Sequence, residues 1–152
     1  MTLTIRPARL DEAHTLSELC KRSKAHWGYD AGFMALSEAS LTIAPAQIAA
    51  GHVLVAEAQG RTVAVANLKP LGGGTVDLQH LFVEPDEIDH GVGRRLFGAA
   101  CELARALGGT MLSILSDPYA EAFYKQMGAT RIGDAPSDAV PDRMLPLLEY
   151  PL

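Results

Sequence analysis

From Leu3 to Ala8 apolar and polar side chains alternate, the period-two pattern of a half-buried strand. Asp11 then stands where a helix N-cap belongs. Ala13, Leu16, Leu19 and Cys20 recur at helical spacing, which predicts a helix to about Lys24 with those residues inward. Gly28 breaks that helix inside AHWGYDAGF, a second helix is predicted from Asp30 to about Glu38, and Pro45 opens a short turn of helix that Gly51 ends. The middle of the chain changes period. HVLVAEA and TVAVANLKPL flank QGR and read as a hairpin, LGGGT reads as another hairpin loop, and TVDLQHLFVEP follows as a third strand that Pro85 ends. Between Gly91 and Leu107, Val92, Leu96, Ala100, Leu103 and Leu107 return to helical spacing, with Cys101 falling opposite that stripe. TMLSILS is a continuous apolar run and reads as a buried strand. Asp117 and Pro118 open a further helix that Gly128 closes, and ATRIGD and RMLPLLEYP read as two final strands. This order predicts one mixed α/β sheet packed by helices, in a single domain spanning residues 1–152.

Composition narrows the classes. The chain of 152 residues is 48% hydrophobic, enough for one core, and its formal net charge of −5 with no long basic run argues against nucleic acid as a partner. No apolar run is long enough for a membrane span, and the first ten residues are too interrupted for a signal peptide. Two cysteines, Cys20 and Cys101, lie far apart in the sequence. They fit a reducing cytoplasm, and neither they nor the five scattered histidines show metal-ligand spacing, so no metal is expected.

Two stretches carry candidate chemistry. In EPDEIDHGVGRRLF, Gly91 and Gly93 precede two arginines. A dinucleotide fingerprint needs a third glycine where Leu96 stands, and a phosphate loop needs Lys and Ser or Thr where Arg94 and Arg95 stand, so both of those readings fail. A helix opening directly after a strand still offers unpaired N–H groups and the positive end of a dipole. Glycine clears the approach, and Arg94 and Arg95 add charge, so the stretch is a candidate seat for a pyrophosphate. The plainer reading is a turn with solvated arginines. In SDPYAEAFYKQMGA, Ala120, Phe123, Tyr124 and Met127 form a helical stripe. Phe123 and Met127 suit a core; the Tyr124 hydroxyl needs a partner if buried, or serves as a proton donor.

Taken together, these stretches resemble the GNAT superfamily of acyl-CoA-dependent N-acetyltransferases. The family pattern Q/R-x-x-G-x-G/A, following a strand and a proline turn, is matched by Ile88-Asp89-His90-Gly91-Val92-Gly93 after LFVEP. Its second pattern, N-x-x-A-x-x-F-Y-x-x-x-G, is matched by Asp117, Ala120, Phe123, Tyr124 and Gly128. Ile88 replaces the usual Gln or Arg, and Asp117 replaces the usual Asn, which removes an amide donor but keeps a good N-cap. The resemblance covers essentially the whole chain. It implies a mostly antiparallel central sheet flanked by helices, with a splayed strand pair in the middle.

It also implies a set of roles. Acetyl-CoA is the co-substrate, its pyrophosphate held around Asp89, His90, Gly91, Val92, Gly93, Arg94 and Arg95. Main-chain groups of Leu81, Phe82 and Val83 pair with pantetheine like an added strand. Asp117 and Phe123 border the same site, and the Tyr124 hydroxyl points at the sulfur as general acid, a phenol of pKa about 10 protonating a thiolate of about 8.5. N–H donors around Phe82 face the developing oxyanion. For the base the choices are Asp77, His80 or water. Asp77, Gln79 and Leu81 share one face of a regular strand and Leu78, His80 and Phe82 the other, so the two cannot both face the amine. The segment KAHWGYDAGFMA would wall the acceptor pocket, with His26, Trp27, Tyr29 and Phe33 as its aromatic lining, or would simply pack a hinge. The expected reaction is direct attack of a small-molecule amine or an amino terminus on the thioester. A covalent cysteine route lacks a neighbouring histidine, and a homodimer remains open. The alternatives are a non-catalytic acyl-CoA-binding domain, which would not need Tyr124, and a structural domain whose glycine loop is only a turn.

Overall fold

The computed structural model describes residues 2–152; Met1, the first residue of the single-domain span, lies outside them. Seven strands form one sheet in the order β1-β2-β3-β4-β5-β7-β6: β1 Leu3–Pro7, β2 Val53–Ala58, β3 Arg61–Gly72, β4 Thr75–Val83, β5 Met111–Leu115, β6 Thr130–Pro136 and β7 Met144–Pro151. Every neighbouring pair is antiparallel except β4 with β5. Helices α1 Ala13–Ala25, α2 Ala31–Ser37 and α3 Pro45–Ala49 lie between β1 and β2, α4 Val92–Ala106 links β4 to β5, and α5 Glu121–Met127 links β5 to β6. The expected mixed sheet, mostly antiparallel and flanked by helices, is the observed one.

Two cores cover the two sheet faces. Leu96, Phe97, Ala100, Cys101 and Ala104 of α4 pack on Ala64, Ala66 and Leu68 of β3 and on Leu112 and Ile114 of β5. On the opposite face Leu16, Leu19 and Cys20 of α1 pack on Val53, Val55 and Val65. Ala64 and Ala66 on the α4 side of β3 let that helix approach closely, while Val65 faces α1. Burial on both faces explains why β3 reads as an unbroken apolar run. The buried stripe of α4 is wider than one row, so Cys101 packs inward, contrary to the sequence expectation. At 100° per residue Phe97, Cys101 and Ala104 lie beside Val92, Leu96 and Ala100. The start of α1 also differs. Leu10–Glu12 form a 3₁₀ turn and α1 begins at Ala13, so Asp11 is not its N-cap. Glu12 accepts from the Arg9 N–H at 2.7 Å and from Arg6 at 2.8 Å instead, and Arg6 also bonds Glu57 of β2.

β4 is irregular where it borders the site. Its register against β3 shifts between Asn67 and Leu68, Asn67 facing His80 and Leu68 facing Leu78, which leaves Gln79 as an extra residue. Alternation therefore reverses within the strand. Val76 and Leu78 belong to the α4 core together with Leu81 and Val83, whereas Phe82 packs with α1. At the end of β4 the buried Glu84 carboxylate accepts from Arg22 of α1 at 2.9 Å through both oxygens and from Arg61 of β3 at 3.4 Å. This bond fixes α1 to the strand just before the glycine loop. Both arginines are half-exposed and regain water if it is broken, so the loss is smaller than for a fully buried pair. Glu84→Ala is expected to cost about 1–2 kcal/mol in urea unfolding at pH 7; a loss below about 0.5 kcal/mol would mean that the clamp carries no stability.

Candidate active site

β4 and β5 pair only at Thr75–Met111, Val76–Leu112 and Asp77–Ser113. Beyond Asp77 the strands part, so the edge of β4 from Leu78 to Val83 that faces β5 has no strand partner. A cavity of about 880 Å³ occupies the opening. It runs from the loop at Ile88, Asp89, Gly91, Gly93 and Arg94, past Leu81, Phe82, Val83, Phe123 and Tyr124, to Lys24, Trp27, Asp77, Gln79, Asp138 and Arg143.

The loop end is made of backbone. Asp89 and Gly91 both have left-handed φ, 72° and 81°, and Gly91 caps α4. The first bond of the helix runs from the Arg95 N–H to the Gly91 carbonyl at 3.3 Å, so the N–H groups of Val92, Gly93 and Arg94 have no intrahelical acceptor. At Gly93 a Cβ would meet the Phe123 ring at 3.3 Å and Val83 at 3.8 Å. Of the loop residues expected from the sequence, the side chains of Asp89 and Arg94 line the cavity. His90 turns away to pair with Glu87 at 3.2 Å, Val92 is buried in the α4 core, and Arg95 reaches β1, donating to the Leu3 carbonyl at 3.3 Å. Those last three side chains point elsewhere because the loop turns sharply and α4 must seat its first turn on the sheet.

Tyr124 is 6% exposed and lines the cavity, and its hydroxyl, unbonded among the described residues, is open to that space. Burial, and then the charges of Asp117 and Asp77, raise its pKa above the ordinary phenol value. Asp77 borders the same space. Burial, followed by repulsion from Asp138 and eased by Lys69, pushes its carboxyl up to about 6. His80 is held from both sides. Its Nε2 lies 2.7 Å from the Ser40 carbonyl, which only accepts, so Nε2 carries the proton and Nδ1 accepts from Asn67 Nδ2 at 3.1 Å. Burial lowers the His80 pKa, so the ring stays neutral with both nitrogens occupied. The bulge at Gln79 also corrects the alternation expected for this strand: Asp77 and His80 lie on the same side of β4, and hydrogen bonding rather than orientation separates them. In this network Asn67 Oδ1 is left without a partner.

The wall at the far end of the cavity rests on Asp117. Its Oδ1 accepts from the Tyr119 N–H at 2.9 Å, capping the turn before α5. Its Oδ2 accepts from Lys24 at 2.6 Å and from the Tyr29 hydroxyl at 2.8 Å, and Arg143 lies 3.8 Å away. Burial is the largest single influence and opposes ionisation, but the bond and charge of Lys24 with the bonds from the Tyr119 N–H and the Tyr29 hydroxyl together outweigh it, and the carboxyl lies below its usual range. Arg143 donates to the Tyr29 hydroxyl at 2.8 Å, and burial next to Asp117 pushes that phenol up to about 12. Tyr29 stacks on Phe33 with centroids 4.0 Å apart, so both brace the wall without lining the cavity. Trp27 does line it, stacked on Tyr119 at 5.1 Å with His26 edge-on behind, outside the lining. Lys24, Tyr119, Asp138 and Arg143 escaped the sequence reading. Lys24 and Arg143 converge on Asp117 and Tyr29 from positions more than a hundred residues apart, and no local pattern announces such a cluster.

Among the described residues no group of three His, Cys, Asp or Glu is placed to hold a metal ion, and no helix is long and apolar enough to cross a membrane. A family model described as an acetyltransferase (GNAT) domain matches residues 49–128. A UPF0039 protein of Schizosaccharomyces pombe is 32% identical over 87 residues, 56% of this chain and 58% of that protein, so the match spans little more than half of this relative's length. A solved GCN5-related N-acetyltransferase from Rhodopseudomonas palustris is similar at a TM-score of 0.80 and 24% identity, over 100% of this chain and 97% of its own. PaiA N-acetyltransferase from Thermoplasma acidophilum, solved in complex with coenzyme A, is similar at 0.76 and 16% identity over the whole of both chains. At these identities the likeness to the solved structures is one of fold.

Asp77 gives a prediction independent of any ligand. A carboxyl with a folded pKa of about 6 binds its proton more tightly than in the unfolded chain. Its contribution is therefore complete below about pH 4 and is lost as pH rises through about 6, where the ionised form strains the fold. Asp77→Asn should then stabilise the protein above pH 6 by about 1–3 kcal/mol and leave it unchanged below pH 4. Urea midpoints across that range check this, and a pH-independent difference would contradict it.

Proposed function

The chain belongs to the acetyltransferase (GNAT) domain family, and from that premise we propose that residues 1–152 form one catalytic domain transferring an acetyl group from acetyl-CoA to an amine. The observation that carries this reading is the cavity between the parted strands. It joins a glycine-capped helix N-terminus, along a free strand edge, to the hydroxyl of the buried Tyr124 side chain, which is unbonded among the described residues. Acetyl-CoA would supply the reactive acetyl thioester.

The chain's own groups fit that co-substrate. The N–H groups of Val92, Gly93 and Arg94, at the positive end of α4, hold a pyrophosphate, with the Arg94 side chain beside them. The unpaired edge at Leu81, Phe82 and Val83 bonds an extended amide chain as an added strand and aims donors at the thioester oxygen. Phe123 supports Gly93 from below. Asp117 shapes the wall, its carboxylate engaged by Lys24, Tyr29 and Tyr119. Asp77 accepts the proton that an ammonium must lose before its nitrogen attacks, a task that a pKa of about 6 suits at neutral pH better than the fully engaged His80 does. Tyr124 donates a hydrogen bond and a proton to the departing sulfur. Burial keeps the phenol protonated at neutral pH and also makes it a weaker acid, so its effect belongs at the lower end of the range for general-acid catalysis.

Tyr124→Phe is expected to lower kcat about 10²-fold while acetyl-CoA affinity, measured by calorimetry, changes little. Unaltered turnover would remove the acid role and favour a non-catalytic acyl-CoA-binding domain. Gly93→Val presses on Phe123 and crowds the free N–H groups, and is expected to weaken CoA binding at least about tenfold. Ile88→Gln should change it less than about threefold, since the loop binds through its main chain. Equal effects of the two substitutions would contradict main-chain recognition.

A further inference from the structure

The charged groups lining the acceptor half of the cavity divide into an engaged set and a free set. Lys24 is bonded to Asp117 at 2.6 Å, and Arg143 donates to Tyr29 at 2.8 Å and lies 3.8 Å from Asp117. Asp77 and Asp138 both line the same space, and among the described residues neither has an ion pair or a side-chain hydrogen bond. They are near enough for the Asp138 charge to oppose ionisation of Asp77. Lys69, across the ladder from Asp77, relieves this only in part, since its side chain is exposed. Tyr124, more than nine-tenths buried, brings an unpartnered hydroxyl into the same cavity beside Asp77. Asp77, partly buried, and Asp138, exposed, are carboxylates that no cation bonds among the described residues; they repel each other across the cavity, and a positively charged guest relieves that repulsion. A guest carboxylate would meet the same repulsion, because the two cations of this wall are already committed to Asp117 and Tyr29.

We propose that Asp138 selects the acceptor: together with Asp77 it takes a small amine that carries a second cationic centre and no carboxylate, a short alkane diamine being the simplest such molecule. Asp77 faces the nitrogen that reacts, and Asp138, on the loop between β6 and β7, holds the distal ammonium. The inference rests on the acetyl-transfer reading above.

The test compares 1,4-diaminobutane, butylamine and 4-aminobutanoate as acceptors, by thiol release in steady state and by calorimetric titration of the CoA-saturated protein. The expected order of kcat/KM is diamine, then butylamine, then the amino acid. Asp138→Asn should raise KM for the diamine by roughly 2–5-fold, the size expected for an exposed ion pair, with little change for butylamine and with the effect in KM rather than kcat. Asp138→Lys should move the preference towards 4-aminobutanoate. Among the described residues Asp138 makes no side-chain bond, and its charge only opposes that of Asp77, so no loss of thermal stability is expected in either variant, which separates recognition from misfolding. Release of CoA by the wild-type protein with no preference for the diamine overturns the assignment of Asp138 and leaves acetyl transfer standing, as does an equal loss for both amines in Asp138→Asn. Absence of acetyl-CoA binding by the wild-type protein overturns acetyl transfer itself, and this proposal with it.

Discussion

The constraint on which the site depends is that β4 keeps β5 as a neighbour for only three residues. A parallel ladder continued to Val83 would satisfy the backbone of both strands and leave no room between them. The bulge at Gln79 prevents this by bending β4 and adding local twist, while β5 stays bound to β7 along its full length, from Met111 to Leu115. Unpaired main-chain groups then border a cavity rather than a neighbouring strand. Buried backbone without partners is costly, which makes such an edge more than a packing defect: it is a place where an extended ligand can complete the sheet.

The same residue type serves two ends in this cavity, and only the surroundings distinguish them. Asp117 and Asp77 are both largely buried, so burial raises the pKa of each. Asp117 gains Lys24, Tyr29 and the Tyr119 N–H, and its carboxyl ends below the ordinary range. Asp77 gains only the exposed Lys69, with which it makes no bond, and a second carboxylate, and ends well above it. Asp117 is thereby a fixed structural charge that joins α1, the turn before α5 and the loop before β7. Asp77 is a group poised to exchange a proton near neutral pH.

Local patterns made most of the fold legible. Alternation, helical spacing and the Pro and Gly punctuation mark nearly every element, because each depends on residues close in sequence. The bulge did not show: Gln79 breaks no hydrophobic pattern, and the reversal of faces emerges only when Leu78 and Leu81 are found in one core. Cys101 was misplaced for a related reason, since a one-row stripe underestimates how much of α4 is covered. On the site, the glycine loop and Tyr124 were visible as motifs. The roles of Arg95, His90 and Val92 were not, because a sharp loop sends neighbouring side chains in different directions. The Lys24–Asp117–Tyr29–Arg143 cluster joins positions 24, 29, 117 and 143, and no window along the chain holds all four.

The two ends of the cavity differ in what they ask of the sequence. At the loop, φ at Asp89 and Gly91 and the missing Cβ at Gly93 define the surface, so Ile88 can depart from the family pattern without removing a donor of the helix N-terminus. At the acceptor end the surface is built from side chains on α1, β4, the turn before α5 and the loop before β7, elements that meet only in the folded chain. A co-substrate shared by a family needs only the first kind of surface, which survives wide sequence change as long as the backbone keeps its turns. Choice of acceptor needs the second kind, and there one charge on a surface loop, such as Asp138, changes what the cavity attracts without disturbing the sheet beneath it.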